Sequence, residues 1–136
     1  MIDIKLIREN HEIVKENIKK RGLHDKIALV DKIRRNDEEW RSIKGNVDNL
    51  RASRNTISKE ISEAKKSGKD VKTLLKKAQS IPEEIASLES KAQQLRNLID
   101  AGIAELPNML HSSVPVGKDA SENPIVRKWG KIPKFK

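Results

Sequence analysis

The chain has 136 residues and no cysteine, and its only aromatic residues are Trp40, Trp129 and Phe135. Without cysteine there is no disulfide framework, no thiol nucleophile and no cysteine-ligated metal, a composition that suits a reducing cytoplasm. No apolar run reaches the roughly 18 to 20 residues of a membrane span. The amino terminus carries acidic residues inside a helical pattern, so neither a signal peptide nor a membrane anchor is expected. Proline is nearly confined to the end of the chain: four of five fall at or after Pro107, and Pro82 is the exception.

What remains is aliphatic and charged. Leu, Ile, Val and Phe number 35, about a quarter of the chain and above the roughly 20% below which burial cannot offset the entropy of ordering. One ordinary domain is the most this length supports, without a thick core. The net charge of +9 is unevenly spread. Residues 51–77 hold nine bases against three acids, and residues 118–136 hold six against two, whereas residues 78–117 are net acidic. A concentrated patch can neutralise several phosphates together, which scattered charges cannot.

Periodicity gives the fold class. Residues 1–22 predict two short helices, the first capped by Asp3, the second by Asn10, with Gly22 as the stop. Ile4, Ile7, Ile13, Val14 and Ile18 give them one apolar side. Steps of three and four then join Leu29, Ile33, Asn36, Trp40, Ile43, Val47, Leu50, Arg54, Ile57, Ile61 and Ala64, nine of the eleven being apolar. A second seam runs from Val71 through Leu74, Ala78, Ile81, Ile85, Leu88, Ala92, Leu95, Ile99 and Gly102 to Leu106. Both have the 3.5-residue repeat of a coiled coil.

Between them Ser67 and Gly68 can turn the chain and Asp70 can cap the next helix. So short a link forces two antiparallel limbs, 25–67 and 70–106, facing Ala64 to Val71, Ile57 to Ala78, Val47 to Leu88, Trp40 to Leu95 and Ile33 to Gly102. The expected fold is all-α: a long antiparallel two-helix coiled-coil hairpin, roughly 55 to 60 Å long, with short N-terminal helices packed at its base. Arg54 falls in the seam, where its stem can pack while its guanidinium reaches water. Pro82 removes a backbone donor and predicts a bend or loosened turn near residues 78–82. Residues 107–136 lose all periodicity and read as an extended linker.

A rod this slender cannot hold a deep catalytic pocket, and its chemistry is sparse. His11, His24 and His111 lack companions at metal-ligand spacing, which favours surface or capping roles and predicts no metal site. Glu38 with Glu39, and Glu83 with Glu84, are consecutive and diverge on a helix, so they read as solvated faces. Ser112 and Ser113 near His111 have no acidic orienter or oxyanion device, so no catalytic residue is assigned. The basic stretch is more informative. Arg51, Arg54, Lys59, Lys65, Lys66, Lys69, Lys72, Lys76 and Lys77 surround the outer half of the hairpin. Charge alone leaves three readings: a merely soluble coiled coil, contact with a nucleic-acid backbone, or contact with an acidic protein or membrane surface. No second apolar face is left for a membrane. Aromatics for stacking are missing from the tip, which favours recognition of a structured RNA or duplex by shape and phosphate.

The chain resembles the N-terminal domain of seryl-tRNA synthetases. The likeness is carried by "MIDIKLIREN" and "VKENIKKRG" at the start, by Leu50, Arg51, Arg54 and Asn55 in "LRASRNTISKEI", and by Leu106, Pro107 and Asn108 followed by Val114, Pro115 and Gly117. It departs at His11, where members often carry proline.

The resemblance implies a tRNA-binding arm domain over residues 1–110 and a linker, 107–136, toward a class II catalytic domain that this chain lacks. Members form seryl-adenylate from serine, ATP and Mg2+ and transfer serine to the tRNA. They are homodimers whose arm lies against the long variable arm and elbow of tRNA(Ser), with tRNA(Sec) as a second candidate. The chain alone is then expected to be non-catalytic and monomeric, cytoplasmic, with the nine bases named above as its tRNA-binding residues. The competing reading is a structural coiled coil such as a prefoldin-like chaperone subunit, which needs sheet-forming segments at the base of its helices.

Overall fold

The computed structural model describes residues 1–117, 119–131 and 133. Three α-helices carry the fold, and no strand occurs among the described residues. Helix α1 (Ile4–Lys20) begins where the Asp3 carboxylate accepts from the Lys5 amide at 2.9 Å. It is kinked at Asn10, which leaves helical geometry (φ −143°, ψ 50°). The two helices expected over residues 1–22 are therefore two segments of one kinked element. Gly22 ends it at φ +72°, a left-handed conformation that costs glycine little. The Leu23 amide then reaches back to the Ile18 carbonyl, satisfying a terminal acceptor.

A single 3₁₀ turn, His24–Lys26, leads into α2 (Ile27–Lys66), and the chain returns as α3 (Lys72–Glu105). At 1.5 Å per residue the limbs are about 60 and 51 Å long. They are antiparallel, as ion pairs between Arg51 and Glu89 and between Lys91 and Glu39 record. The facing of Ile33 to Gly102 is direct: a Cβ on Gly102 would lie 2.8 Å from Ile33 Cγ1. Past Leu106 the described residues form no further α-helix: the chain turns at His111–Val114, where the Val114 amide donates to the His111 carbonyl at 3.0 Å, and makes a 3₁₀ turn at Ala120–Glu122.

Two apolar clusters make the core. At the base, Ile7, Val14 and Ile18 of α1 pack on Val30 and Ile33 of α2 and on Ile99 and Ile103 of α3. Along the arm, Ile43, Val47 and Ile57 meet Ile81, Ile85, Ala92 and Leu95, and Trp40 touches both clusters. Each fully buried side chain of this size contributes about 1.5 to 3 kcal/mol, so the three-helix base is the thermodynamic anchor. Toward the tip the seam residues Ile61, Ala64, Val71 and Leu74 are only half-buried, because two helices cannot enclose a side chain as three can.

Two expectations need correction. Spacing puts Ile13 on the apolar side of α1, yet it is 49% exposed; the neighbouring Val14 takes the core position and turns Ile13 about 100° away. Pro82 does not loosen residues 78–82: α3 is continuous across it. Proline removes one donor there, while the surrounding helical bonds and the burial of Ile81 and Ile85 hold the helix together. Arg54, in the seam by spacing, is exposed as a whole residue.

Candidate nucleic-acid interface

The far end of the arm is built by its turn. Ser67 Oγ donates to the Glu63 carbonyl at 3.0 Å, and the Lys69 amide donates to the Ala64 carbonyl at 2.9 Å across Gly68, which sits at φ +67°. The Asp70 carboxylate then accepts from the Lys72 amide at 3.0 Å and starts α3. Lys65, Lys66, Lys69 and Lys72 are thereby gathered around one sharp reversal of the chain.

All nine sequence-assigned bases are exposed. Arg51 is engaged, with Nη2 at 2.6 Å from Glu89 and Nη1 at 3.7 Å from Asp48. The other eight form no ion pair among the described residues, so their charge is available to a ligand rather than consumed internally. The helical step of about 100° per residue sorts them around the rod. Arg51, Arg54 and Lys65 fall on one flank of α2, Lys59 and Lys66 on its outer side, and the acids Glu60 and Glu63 on the opposite flank. Lys72 and Lys76 lie on the outer side of α3, and Lys77 falls on the acidic flank with Glu60. The bases therefore form a broad positive surface over one flank and the tip, with Lys77 set apart. No aromatic side chain lies within it; Trp40 is further down the arm, with the Arg96 guanidinium 5.9 Å from its ring centroid. Such a surface can hold phosphates and offers no platform for splayed bases.

The remaining candidates are structural. His11 Nε2 lies 3.1 Å from Glu12, and His111 Nδ1 lies 2.8 Å from Ser113 Oγ and also accepts from the Ser113 amide, a local turn rather than an activated nucleophile. No group of three His, Asp or Glu side chains that could hold a metal exists among the described residues, and no helix is long and apolar enough to cross a membrane.

Sequence reasoning missed three polar clusters at the base. Asp37, 2% exposed, is gripped by Arg8 through two bonds (Nε to Oδ2, 2.8 Å; Nη2 to Oδ1, 2.7 Å) and by Arg41 Nε at 3.0 Å. Burial pushes the Asp37 carboxyl up, but the hydrogen bonds and charges of the two arginines outweigh it and hold the group below the usual carboxylate range. Lys15 similarly joins Glu12 (3.1 Å) and Asp31 (2.7 Å), and both carboxyls are lowered chiefly by bonding to it. The third cluster joins Asn17 and Arg21 to the backbone of residues 108–110. A sequence signal existed for Asp37: it continues the Val30 row by seven residues, on the side of α2 that α1 covers.

Comparison with known proteins agrees with this geometry. Residues 1–110 match the family model described as the seryl-tRNA synthetase N-terminal domain. The serine–tRNA ligase of Pyrococcus horikoshii is 45% identical over 131 residues, which are 96% of this chain and 29% of that protein. That of Pyrococcus furiosus is 48% identical over 136 residues, covering the whole chain and 30% of the relative. The crystal structure of the Pyrococcus horikoshii seryl-tRNA synthetase complexed with ATP superposes with a TM-score of 0.90, again over 96% of this chain and 29% of the other. The chain thus spans about three-tenths of the length of these relatives. It belongs to the seryl-tRNA synthetase N-terminal domain family.

Proposed function

We propose that this chain is the tRNA-binding arm of a serine–tRNA ligase. Beyond the family match, the observation that carries the reading is the exposed, largely unpaired set of bases around the Ser67–Asp70 turn, on a rod about 60 Å long. The arm lays this surface against the long variable arm and elbow of tRNA(Ser), with tRNA(Sec) a second ligand of the same shape. Phosphate contacts set register and orientation without reading bases, so discrimination comes from the shape of the RNA. Holding the body of the tRNA orients its acceptor end for ATP-dependent serylation by a class II catalytic domain of a cytoplasmic, homodimeric enzyme.

ATP and Mg2+ belong, on this reading, to the catalytic domain, and no residue of this chain is assigned to them. No step of the adenylation chemistry is assigned to it. A prefoldin-like chaperone subunit is disfavoured, because helix α1 occupies the base of the arm where that architecture needs strands.

The test is a fluorescence-anisotropy titration of labelled tRNA(Ser) with this chain from about 50 to 200 mM salt, beside a tRNA with a short variable arm. The expected result is preference for tRNA(Ser) and a log–log salt slope near −3 to −5, matching about four to six neutralised phosphates. Equal affinity for the two RNAs overturns shape recognition, and a salt-independent affinity overturns the phosphate contact.

A further inference from the structure

We infer that Asn17 is a positioning residue whose carboxamide sets the direction in which the chain leaves the arm at residues 108–110. Asn17 lies near the end of α1 and is 4% exposed. Its Oδ1 accepts from the Leu110 amide at 2.7 Å and its Nδ2 donates to the Asn108 carbonyl at 3.3 Å. The carbonyl of one residue and the amide of the residue two further on are the pair that an extended strand presents to one side, so the side chain pairs with residues 108–110 as a neighbouring strand would. Arg21, one turn later, donates Nη2 to the same Asn108 carbonyl at 2.8 Å. On the other side of Pro107, Lys26 Nζ donates to the Glu105 carbonyl at 2.9 Å and Leu106 is buried in the base core.

An aliphatic residue at position 17 would need no partners of its own. A buried carboxamide carries a desolvation cost that only well-aligned bonds offset, and those bonds are directional where apolar contact is not. What Asn17 adds over leucine is therefore orientation rather than adhesion. The consequence for function rests on the tRNA-arm reading: whatever follows residue 110 meets the bound RNA at an angle that this clamp sets. The clamp itself does not depend on that reading.

The absence of cysteine makes the test clean. Ser42→Cys and Ser112→Cys, both at exposed positions, accept spin labels on the full chain, and pulsed dipolar spectroscopy reads the distance between α2 and the exit. A single narrow distribution is expected. Asn17→Ala should at least double its width. Asn17→Asp should broaden it too, since it keeps the acceptor for Leu110 but sets a carboxylate against the Asn108 carbonyl. Val14→Ala, which removes packing only, should lower the melting temperature and leave the width unchanged. Independently of any variant, the Leu110 amide should exchange with deuterium at least tenfold more slowly than those of Met109 and Ser112. An unbroadened distribution in Asn17→Ala, or a Leu110 amide exchanging as fast as its neighbours, overturns the inference. Failure of the chain to bind tRNA(Ser) overturns the functional reading and leaves the clamp standing.

Discussion

Gly102 lies directly beneath Ile33, so that a Cβ on the glycine would sit 2.8 Å from Ile33 Cγ1 and 3.1 Å from its Cδ1. The contact fixes how closely α2 and α3 approach where the arm enters its three-helix base. Ile33 is 1% exposed and β-branched, so it cannot swing aside as a flexible side-chain end could.

Gly102→Ala should therefore destabilise the chain despite the better helix propensity of alanine. Overpacking costs about 1 to 3 kcal/mol and the propensity gain returns about 1, leaving a net loss of up to about 2 kcal/mol. Thermal melts of Gly102→Ala, Ile33→Ala and the double variant form a cycle. Alanine at 102 should cost less, or become favourable, once Ile33 is truncated; simple additivity would refute the close approach.

Gly45 is the opposite case. It sits inside α2, and a Cβ there would meet nothing within 4 Å. Gly45→Ala should stabilise the chain by about 0.5 to 1 kcal/mol through helix propensity alone, raising the melting temperature by a few degrees. A fall in melting temperature would show that the exposed face of α2 is constrained there.

The Arg8–Asp37–Arg41 cluster predicts a pH dependence. Because the Asp37 carboxyl is held below its ordinary range, its contribution is complete above the unfolded value of about 4 and is lost as pH falls through the lower folded value. Asp37→Asn should cost about 2 kcal/mol at pH 7, and the gap to the parent chain should narrow below about pH 4. Denaturant melts across that range test it; a gap independent of pH would mean that the carboxylate charge is not what matters.

Reversing charge at the tip should separate binding from stability. Lys65→Glu, Lys66→Glu and Lys69→Glu together should weaken tRNA(Ser) binding at least tenfold and flatten its salt slope, with the helical melt moved by no more than about 1 kcal/mol. Lys77→Glu, on the acidic flank, should weaken binding less. Unchanged binding in the triple variant would move the contact away from the tip.

The two long limbs, their turn and their register were legible because a heptad seam is a local property: spacing decides which side of a helix is apolar, and a short link leaves only an antiparallel return. The clustering of bases around residues 51–77 was legible for the same reason, since a helix displays its sequence in order. The Asn10 break and the Gly22 stop followed from local capping chemistry. What spacing could not reveal was how α1 lies on the hairpin. That placement decides which polar residues are buried: Asp37, seven residues along the row from Val30, becomes an enclosed charge only because α1 brings Arg8 onto it. It also decides that Ile13 stays in water and that Asn17 meets residues 108–110, some 90 positions away in the chain. Pro82 teaches the same lesson in reverse, because its local disruption is outweighed by the packing on either side. Residue spacing and charge are enough to specify a basic, two-helix rod. How its base is knit and which way the chain leaves it follow from the packing of α1, because burial and long-range hydrogen bonds depend on which surfaces meet and not on the period of either one.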